Sequence, residues 1–537
     1  MKRLFALALA TLMVLSLVAC GGGGTTSTPA GTGSTPAGTS STPAGTDKPA
    51  EPKVEYKKEI VLTGGGSVFE HPDPQYTASS QNTRYAFMSH DRLVELDPFT
   101  GELSPSLAKS WEVSADGLTY TFQLRDDVTF HNGEKFTADD VVYTAERGKN
   151  SPNANVVKSY SMTESIEAQG DYTVVMKLAA PNADFLLTRA YAYMSVLNRE
   201  ACEAAGKDNE MGATIGTGLW IMKEFELNDY AVWERNDNYW GESTPTERIT
   251  YRHIPEAAAR AVAVETGEVD ITTAITAKDA EAVAENKALE IVKTPASSPN
   301  YFAFNLNAEG PWQDLNFRRA CAYAIDFDAL ILGVHDGNAT QAKTFWGNIM
   351  FGRVDAKNAY SVNVEKAKEY LAKSSYKGEE IVCIALQSWT NQALVISDMF
   401  SKIGIKMRVD TLASADLSAK TREGQWEALS YTYTFNPNGS DMTRFLTSKT
   451  GGAIYNPDVI PSGNKIVELM DEAAVSLDEA KRKANYIEVQ ELMLEDVVVI
   501  PTAYATNFNV QPKGTEGIVW NPSNEYDFKY VKVPVSK

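Results

Sequence analysis

Between Leu103 and Arg147 the chain reads LSPSLAKSWEVSADGLTYTFQLRDDVTFHNGEKFTADDVVYTAER, and no other stretch leaves so little freedom in how it can fold. Trp111 and Val113 alternate with polar neighbours, Asp116-Gly117 supplies a turn, and Leu118, Tyr120, Phe122 and Leu124 alternate with Thr119, Thr121 and Gln123. That pattern predicts a β-hairpin with one buried face. A helix is predicted next. Thr137 stands at its N-cap with Asp140 three residues on, as in a capping box, and Val141, Val142 and Ala145 form an apolar stripe that ends near Arg147.

A chain of 537 residues is too long for one ordinary core, so two or three lobes are expected. The net charge of −20 argues against a nucleic-acid partner and against electrostatic docking on anionic lipid. No HExxH, GxSxG or Walker pattern is present, and His71, His90, His131, His253 and His335 show no metal-ligand spacing, which argues against an enzyme and against a resident cofactor or metal. His131, in the FHNG turn, and His90 read as structural. Cys202, Cys321 and Cys383 match no zinc or redox motif and read as buried free thiols, with one disulfide left open for an exported protein.

The N-terminus reads as a targeting segment. Lys2 and Arg3 precede an apolar run from Leu4 to Val18, which is too short for a comfortable membrane span and closes on Leu17-Val18-Ala19-Cys20. From Gly21 to Thr46 every residue is Gly, Ser, Thr, Pro or Ala, and TPAGT recurs at Thr28, Thr35 and Thr42. Such a composition cannot build a core. It predicts a tether with a reach on the order of 30 Å.

The body is predicted to begin near Val54. Glu59 to Thr63 reads as a strand running into Gly64-Gly65-Gly66 and a long loop through Ser67, Phe69, His71 and Pro72 to Ser80. Strand-end loops of open α/β sheets are where ligands bind, which makes Phe69 a candidate contact. Further strands are expected at Tyr172–Leu178, Tyr230–Trp233, Ile249–His253, Ile405–Val409 and Val497–Thr502. A helix and its exit are expected over Pro181–Val196, and helices at Glu256–Glu265, Val364–Leu371, Asn391–Ile403, Lys465–Val475 and Leu477–Leu494. The alternation implies mixed sheets with flanking helices, an α/β architecture.

Four blocks together resemble one family: PSLAKSWEVSADGLTYTFQLR with VTFHNGEKFTADDVVYTAER, GTGLW with ERNDNYWG, GEVD at Gly267–Asp270, and Phe317–Asp326 after Asn300–Asn307. They resemble the large extracytoplasmic solute-binding proteins of family 5, the oligopeptide, dipeptide and nickel class, and the resemblance runs from about Ile60 to Val510. It implies a two-lobe periplasmic-binding-protein-like fold of type II in its large cluster C form, with an accessory subdomain in the first lobe and two crossing strands, near Pro295–Tyr301 and Val498–Thr502, as hinge. The implied boundaries are a lipoprotein signal peptide over 1–20, a tether over 21–53, lobe I over 54–297 with its subdomain over about 88–200, lobe II over 298–498, and a return to lobe I over 499–537.

The same resemblance implies a monomeric binding protein of an ABC importer, with a permease and an ATPase as partners and peptide as the leading ligand. The tetrad ending in Cys20 resembles a lipobox, which implies diacylglyceryl modification of Cys20 and anchorage on the outer face of a Gram-positive membrane. An oligosaccharide or amino-acid derivative, and a surface sensor without transport, stay open as alternatives. Arg318 and Arg319 read as residues of a packed helix and not as an anion clamp.

Peptide binders of the family hold the ligand's amino terminus with an Asp in a WxADYxDP-like segment. The matching segment here is Tyr431 to Asp441, and the acidic position falls on Asn436, within three residues. An Asn can accept a hydrogen bond from an ammonium group but cannot neutralise it. Asp441 could substitute only if the loop folds inward. Trp389, Asn391, Tyr433, Thr434 and Asn436 would suit stacking and bidentate hydrogen bonding to a less charged ligand. Asn300 and Trp220 complete the candidate contacts; for Trp220 and Trp389, packing is the competing role.

Overall fold

The computed structural model describes residues 54–65, 71–76, 80–206, 212–433, 437–442, 455–522 and 526–535. The chain divides into Met1–Lys53 and a compact unit Val54–Lys537. Everything below concerns the second unit; the segments expected to be signal peptide and tether, with Cys20, lie outside the described residues.

The strands in chain order are β1 (Glu59–Gly64), β2 (Ala108–Val113), β3 (Thr119–Leu124), β4 (Thr163–Ala168), β5 (Thr173–Leu178), β6 (Trp220–Glu226), β7 (Tyr230–Arg235), β8 (Arg248–His253) and β9 (Ile271–Ile275). There follow β10 (Leu289–Pro295), β11 (Asn300–Phe304), β12 (Ala339–Gln341), β13 (Glu380–Leu386), β14 (Lys406–Leu412), β15 (Ala428–Thr432) and β16 (Ile500–Pro512). A short antiparallel pair, Val94–Leu96 with Leu103–Pro105, stands apart.

The predicted hairpin is β2 and β3, and it becomes a four-stranded antiparallel sheet when β5 and β4 add to it in the order β2-β3-β5-β4. Tyr120, Phe122 and Leu124 are buried as the alternation requires, together with Val174, Met176 and Leu178 of β5. The partner strand is less apolar than expected, since Trp111 is half-buried and Val113 is exposed. Gly117 sits in the turn at φ +70°, a left-handed conformation that glycine adopts without a Cβ clash. The helix α1 (Ala138–Gly148) starts at Thr137, and the Asp140 carboxylate accepts the Thr137 backbone N–H at 2.9 Å.

The remaining strands form one continuous hydrogen-bonded sheet in the order β14-β13-β15-β11-β16-β9-β1-β8-β7-β6, with β10 and β12 also on β16. It has two halves because β16 is shared. Its first residues pair with β11 (Phe302 with Ile500, Asn300 with Ala503), and its last pair with β10 from Thr506 to Pro512. The chain also passes from β10 to β11 beside the same point, where the Ala296 N–H donates to the Ala505 carbonyl at 2.7 Å. The buried cores respect this division: one is built wholly from residues between Tyr301 and Ile500, and two others lie around β1, β8 and β9.

Two expected elements differ. Pro181–Val196 reads as a helix and its exit; the helix is only Phe185–Thr188, and a 3-10 turn Ala192–Met194 follows it. Phe185 is drawn into the core of the four-stranded sheet while Tyr191 and Met194 enter a separate cluster with Tyr160, so tertiary packing breaks the segment. The strand expected at Val497–Thr502 begins only at Ile500 and runs on to Pro512. Val497 takes φ +48° to close the helix before it, and the Val498 N–H reaches back to the Met493 carbonyl at 2.9 Å.

Cys202, Cys321 and Cys383 are free and buried, in keeping with the thiol reading. Arg318, on the helix Leu315–Ala324, has no exposed surface and donates to the carbonyls of Trp312, Gln313, Asp496 and Val497, which is the work of a packed helix residue. His90 Nε2 meets the Ala213 carbonyl at 2.9 Å and His131 Nε2 the Gly218 carbonyl at 2.9 Å, so both are structural.

Candidate functional site

Strands β13, β14 and β15 are parallel, and their C-terminal ends open at one edge of the sheet. The N-terminus of β11 joins them there, because β11 runs antiparallel to β15 and Asn300 pairs with Thr432. This edge, beside the segments that cross between the halves, has the placement at which open α/β sheets take ligands.

Four sequence-derived candidates arrive at it. Leaving β13, the chain makes a 3-10 turn Gln387–Trp389 and enters the helix α2 (Thr390–Ser401). The Thr390 hydroxyl donates to the Leu386 carbonyl at 3.0 Å and lies 2.9 Å from the Thr411 hydroxyl of β14, which fixes the turn against both strands. Trp389 is half-buried against the core, with indole surface to spare. Asn391 is exposed and donates to the Gly333 carbonyl at 3.1 Å. Asn300 is buried, with its Nδ2 3.2 Å from His335 Nε2. Tyr433 follows β15 and is half-buried against the same core.

The other candidates are not brought there or are not described. Trp220 has no exposed surface; it packs with Ile60, Leu62 and Trp233, and its indole N–H donates to the Lys529 carbonyl at 2.9 Å. The expectation of a cleft position for Trp220 is therefore corrected to a core position, since a side chain with no free face can touch only its own protein. Phe69, Thr434 and Asn436 lie outside the described residues, as does the side chain of Asp441.

One residue of the edge was not singled out from sequence. Gln392, on the inner side of α2, has no exposed surface; its Nε2 donates to the Tyr301 carbonyl at 3.2 Å and to the Ser430 hydroxyl at 3.0 Å, while its Oε1 accepts the Thr502 hydroxyl at 3.0 Å. A single amide thus ties α2 to β11, β15 and β16. A polar residue within the otherwise apolar buried positions Ala393, Ile396 and Phe400 is the sequence signal that marks it.

The corresponding edge of the first half is formed by the ends of β1 and β9. Ala274 takes φ +56°, and its N–H is held by Asn509 Oδ1 at 3.3 Å and its carbonyl by Arg260 Nη2 at 2.5 Å. Arg260 also donates to the carbonyls of Thr273, Ile254 and Pro255, so its charge is held in place by carbonyl dipoles. Gly65 is required here, because a Cβ would come within 2.8 Å of Arg260 Nη2 and 3.0 Å of the Ala274 Cβ.

Electrostatically the second-half edge is mild. The named polar groups are amides, hydroxyls and His335, whose pKa is lowered by burial, so a neutral imidazole faces Asn300. A cavity of about 500 Å³ lies on the β12 side of the crossing strand, lined by Ile331, Thr340, Asn348 and Tyr504 among others, and contains none of the sequence-derived candidates. Among the described residues no group of His, Cys, Asp and Glu could hold a metal, and no helix is long and apolar enough to cross a membrane. The arrangement offers stacking and hydrogen bonding.

The model of the bacterial extracellular solute-binding proteins, family 5 (middle region), matches residues 102–454. The dipeptide-binding protein of Escherichia coli (strain K12) is 26% identical over 512 residues, covering 89% of this chain and 95% of that protein. Heme-binding protein A of Haemophilus influenzae is 26% identical over 487 residues, covering 85% of this chain and 87% of that protein. Among solved structures, NikA from Brucella suis in complex with Fe(III)-EDTA superposes with a TM-score of 0.80 at 24% identity, covering 88% of this chain and all of that one.

Proposed function

The chain belongs to the bacterial extracellular solute-binding proteins of family 5, a non-enzymatic binding class that works with an ABC permease, and from that membership we propose that it captures a peptide between two lobes and delivers it for import. The proposed lobes are residues 54–297 with 499–537 and residues 298–498, with the subdomain over about 88–200 belonging to the first. Segments that cross between two half-sheets let such a body close on a ligand, and closure is what a membrane partner can read. Anchorage through a lipidated Cys20, a free tether over 21–53, a Gram-positive cell surface and a monomeric state belong to the same proposal and rest on the sequence alone.

The observation that carries the ligand class is the shared edge of β11, β13 and β15, where Trp389 and Tyr433 supply rings and Asn300 and Asn391 supply amides. Rings and amides suit a peptide backbone held in an extended conformation. Because these groups are uncharged and the family's acidic position falls within three residues of Asn436, the ligand's amino end is met by a hydrogen bond and not by an ion pair, Asp441 being the substitute if its loop folds inward. That chemistry also favours the second reading, an oligosaccharide or amino-acid derivative. A surface sensor without transport differs only in lacking a permease.

Native mass spectrometry of the protein as purified, followed by thermal shift against peptides, oligosaccharides and metal chelates, tests the ligand class, since a ligand raises the melting temperature by mass action. Stabilisation by peptides alone supports the first reading; stabilisation by oligosaccharides alone overturns it. Trp389→Ala and Asn436→Ala are each expected to weaken binding by about tenfold without unfolding the protein. Unchanged affinity in both would place the site elsewhere.

A further inference from the structure

The two half-sheets are joined by the crossing strands, and the separate four-stranded subdomain touches the helices of the second half at a place built from parts of the chain 298 residues apart. Asp184 caps the short helix Phe185–Thr188 next to the four-stranded sheet, and Arg482 lies on the helix α4 (Glu479–Glu495), which follows the helix α3 (Gly463–Val475) in the second half. The Arg482 guanidinium donates to the Asp184 carboxylate and, at 3.3 Å, to the Ala183 carbonyl. The side chains are 12% and 4% exposed, so the pair is desolvated. Backbone follows suit, with the Ala183 N–H donating to the Ala474 carbonyl at 2.9 Å. Leu477, in the α3–α4 connection, covers the hairpin turn so closely that a Cβ on Gly117 would come within 2.9 Å of its Cδ1.

We propose that Asp184 and Arg482 form a clasp between the accessory four-stranded subdomain and the α3–α4 helix pair, which sets how readily the two halves separate. The argument rests on how incompletely the pair is satisfied. Among the described residues, Asp184 Oδ2 and Arg482 Nε are both buried without a hydrogen-bond partner, although the guanidinium also lies 4.7 Å from the Phe351 ring and beside the Tyr486 hydroxyl. Removing two charges from water costs nearly what their attraction returns, and each orphaned polar atom adds to that cost. Separation would hydrate both orphans at once. The contact therefore holds the halves together by a small margin, which is the property a releasable joint needs and a permanent one does not.

The clasp gives the hairpin segment a role away from the ligand. It also explains why Gly117 meets Leu477 instead of solvent. The inference rests on the two-lobe reading and is independent of ligand class, so its test uses no ligand: the full-length protein is stripped of carried-over solute by reversible unfolding, then compared with its variants by small-angle scattering and by hydrogen exchange of the segment containing Ala183.

Asp184→Asn and Arg482→Gln should each enlarge the radius of gyration and speed exchange at the Ala183 amide about tenfold or more, while the strand Thr119–Leu124 keeps its protection. The reversed pair, Asp184→Arg with Arg482→Asp, should restore a compact particle. Leu477→Ser, at a half-exposed position that leaves the cores intact, should loosen the same contact to a lesser degree. Unchanged scattering and exchange in all variants would overturn the proposal. So would equal loss of protection in Thr119–Leu124, which would make the pair a prop of the subdomain's own fold.

Discussion

Gln392 donates its side-chain amide to the carbonyl of Tyr301 at 3.2 Å, at the place where β11 and β16 slip in register and the residue facing Tyr301 is Pro501. A proline has no N–H to give a neighbouring strand. The helix side chain donates to the strand at this point, and in doing so fixes the start of α2, with Trp389 and Asn391, to the strand that joins the two halves. Gln392→Leu should therefore lower the urea midpoint, by about 2–4 kcal/mol in stability, because it removes three buried hydrogen bonds at once, to the Tyr301 carbonyl, the Ser430 hydroxyl and the Thr502 hydroxyl. Thr502→Val, which removes only a donor to Oε1, should cost about 1 kcal/mol. Loss of less than 1 kcal/mol in Gln392→Leu would mean that another group takes over the bonds.

His90 makes the protein sensitive to acid. Complete burial lowers its pKa from 6.5 to about 4, with nearby His131 adding to the shift, and its Nδ1 has no partner. Because the folded pKa lies below the unfolded one, the unfolded chain binds the extra proton first. The stabilising contribution of neutral His90 is complete above pH 6.5 and is lost as pH falls towards 4, amounting to about 3 kcal/mol. His90→Gln should flatten the fall in melting temperature between pH 7 and pH 4.5 relative to the parent, even if it is less stable at pH 7. Parallel pH profiles would assign the acid sensitivity to other groups.

Asp91 and Lys529 bind the C-terminal segment to the first half. Burial alone would raise the Asp91 carboxyl, but the Lys529 ammonium at 2.8 Å holds it below the usual carboxylate range, helped by Arg92 and by the Trp240 indole N–H at 2.9 Å. Lys529→Met should destabilise by about 3–5 kcal/mol, since it leaves a buried carboxylate uncompensated. The double variant Asp91→Asn with Lys529→Met should recover part of that loss. A denaturant series on the two singles and the double measures the coupling, and strict additivity would show that the ion pair carries no interaction of its own.

Cys202, Cys321 and Cys383 should resist alkylation in the folded protein at pH 8 and react fully once denatured. Burial raises all three thiols, that of Cys202 to about 11, so the reactive thiolate is scarce in addition to being covered. Cys202, at 9% exposure, should be the first to react as denaturant is added. Mass spectrometry of the labelled peptides reads this directly. Rapid labelling of Cys321 or Cys383 under native conditions would contradict the packing described for them.

The hairpin, the capped helix α1 and the amphipathic helices were legible in the sequence because their signals are local: a two-residue alternation, a turn glycine, a cap three residues from its partner. The halving of the long sheet was legible only through family resemblance. Where sequence reading failed, the competing interaction was distant. Phe185 and Tyr191 pull one segment into two cores, and of the two roles left open for Trp220, cleft contact and packing, packing is decided by the Lys529 carbonyl more than three hundred positions later.

The sequence by itself determined which segments alternate, cap and turn, and its blocks determined the family. Only the tertiary structure decided which side chains share an edge. Trp389, Asn391, Asn300 and Tyr433 meet because β11 runs antiparallel between β15 and β16 and brings its first residue to the strand ends. The roles of Gln392 and Arg260 were likewise decided there. Each supplies hydrogen bonds to backbone groups beside a proline, a register slip or a left-handed residue, and such places exist only once the strands are laid side by side.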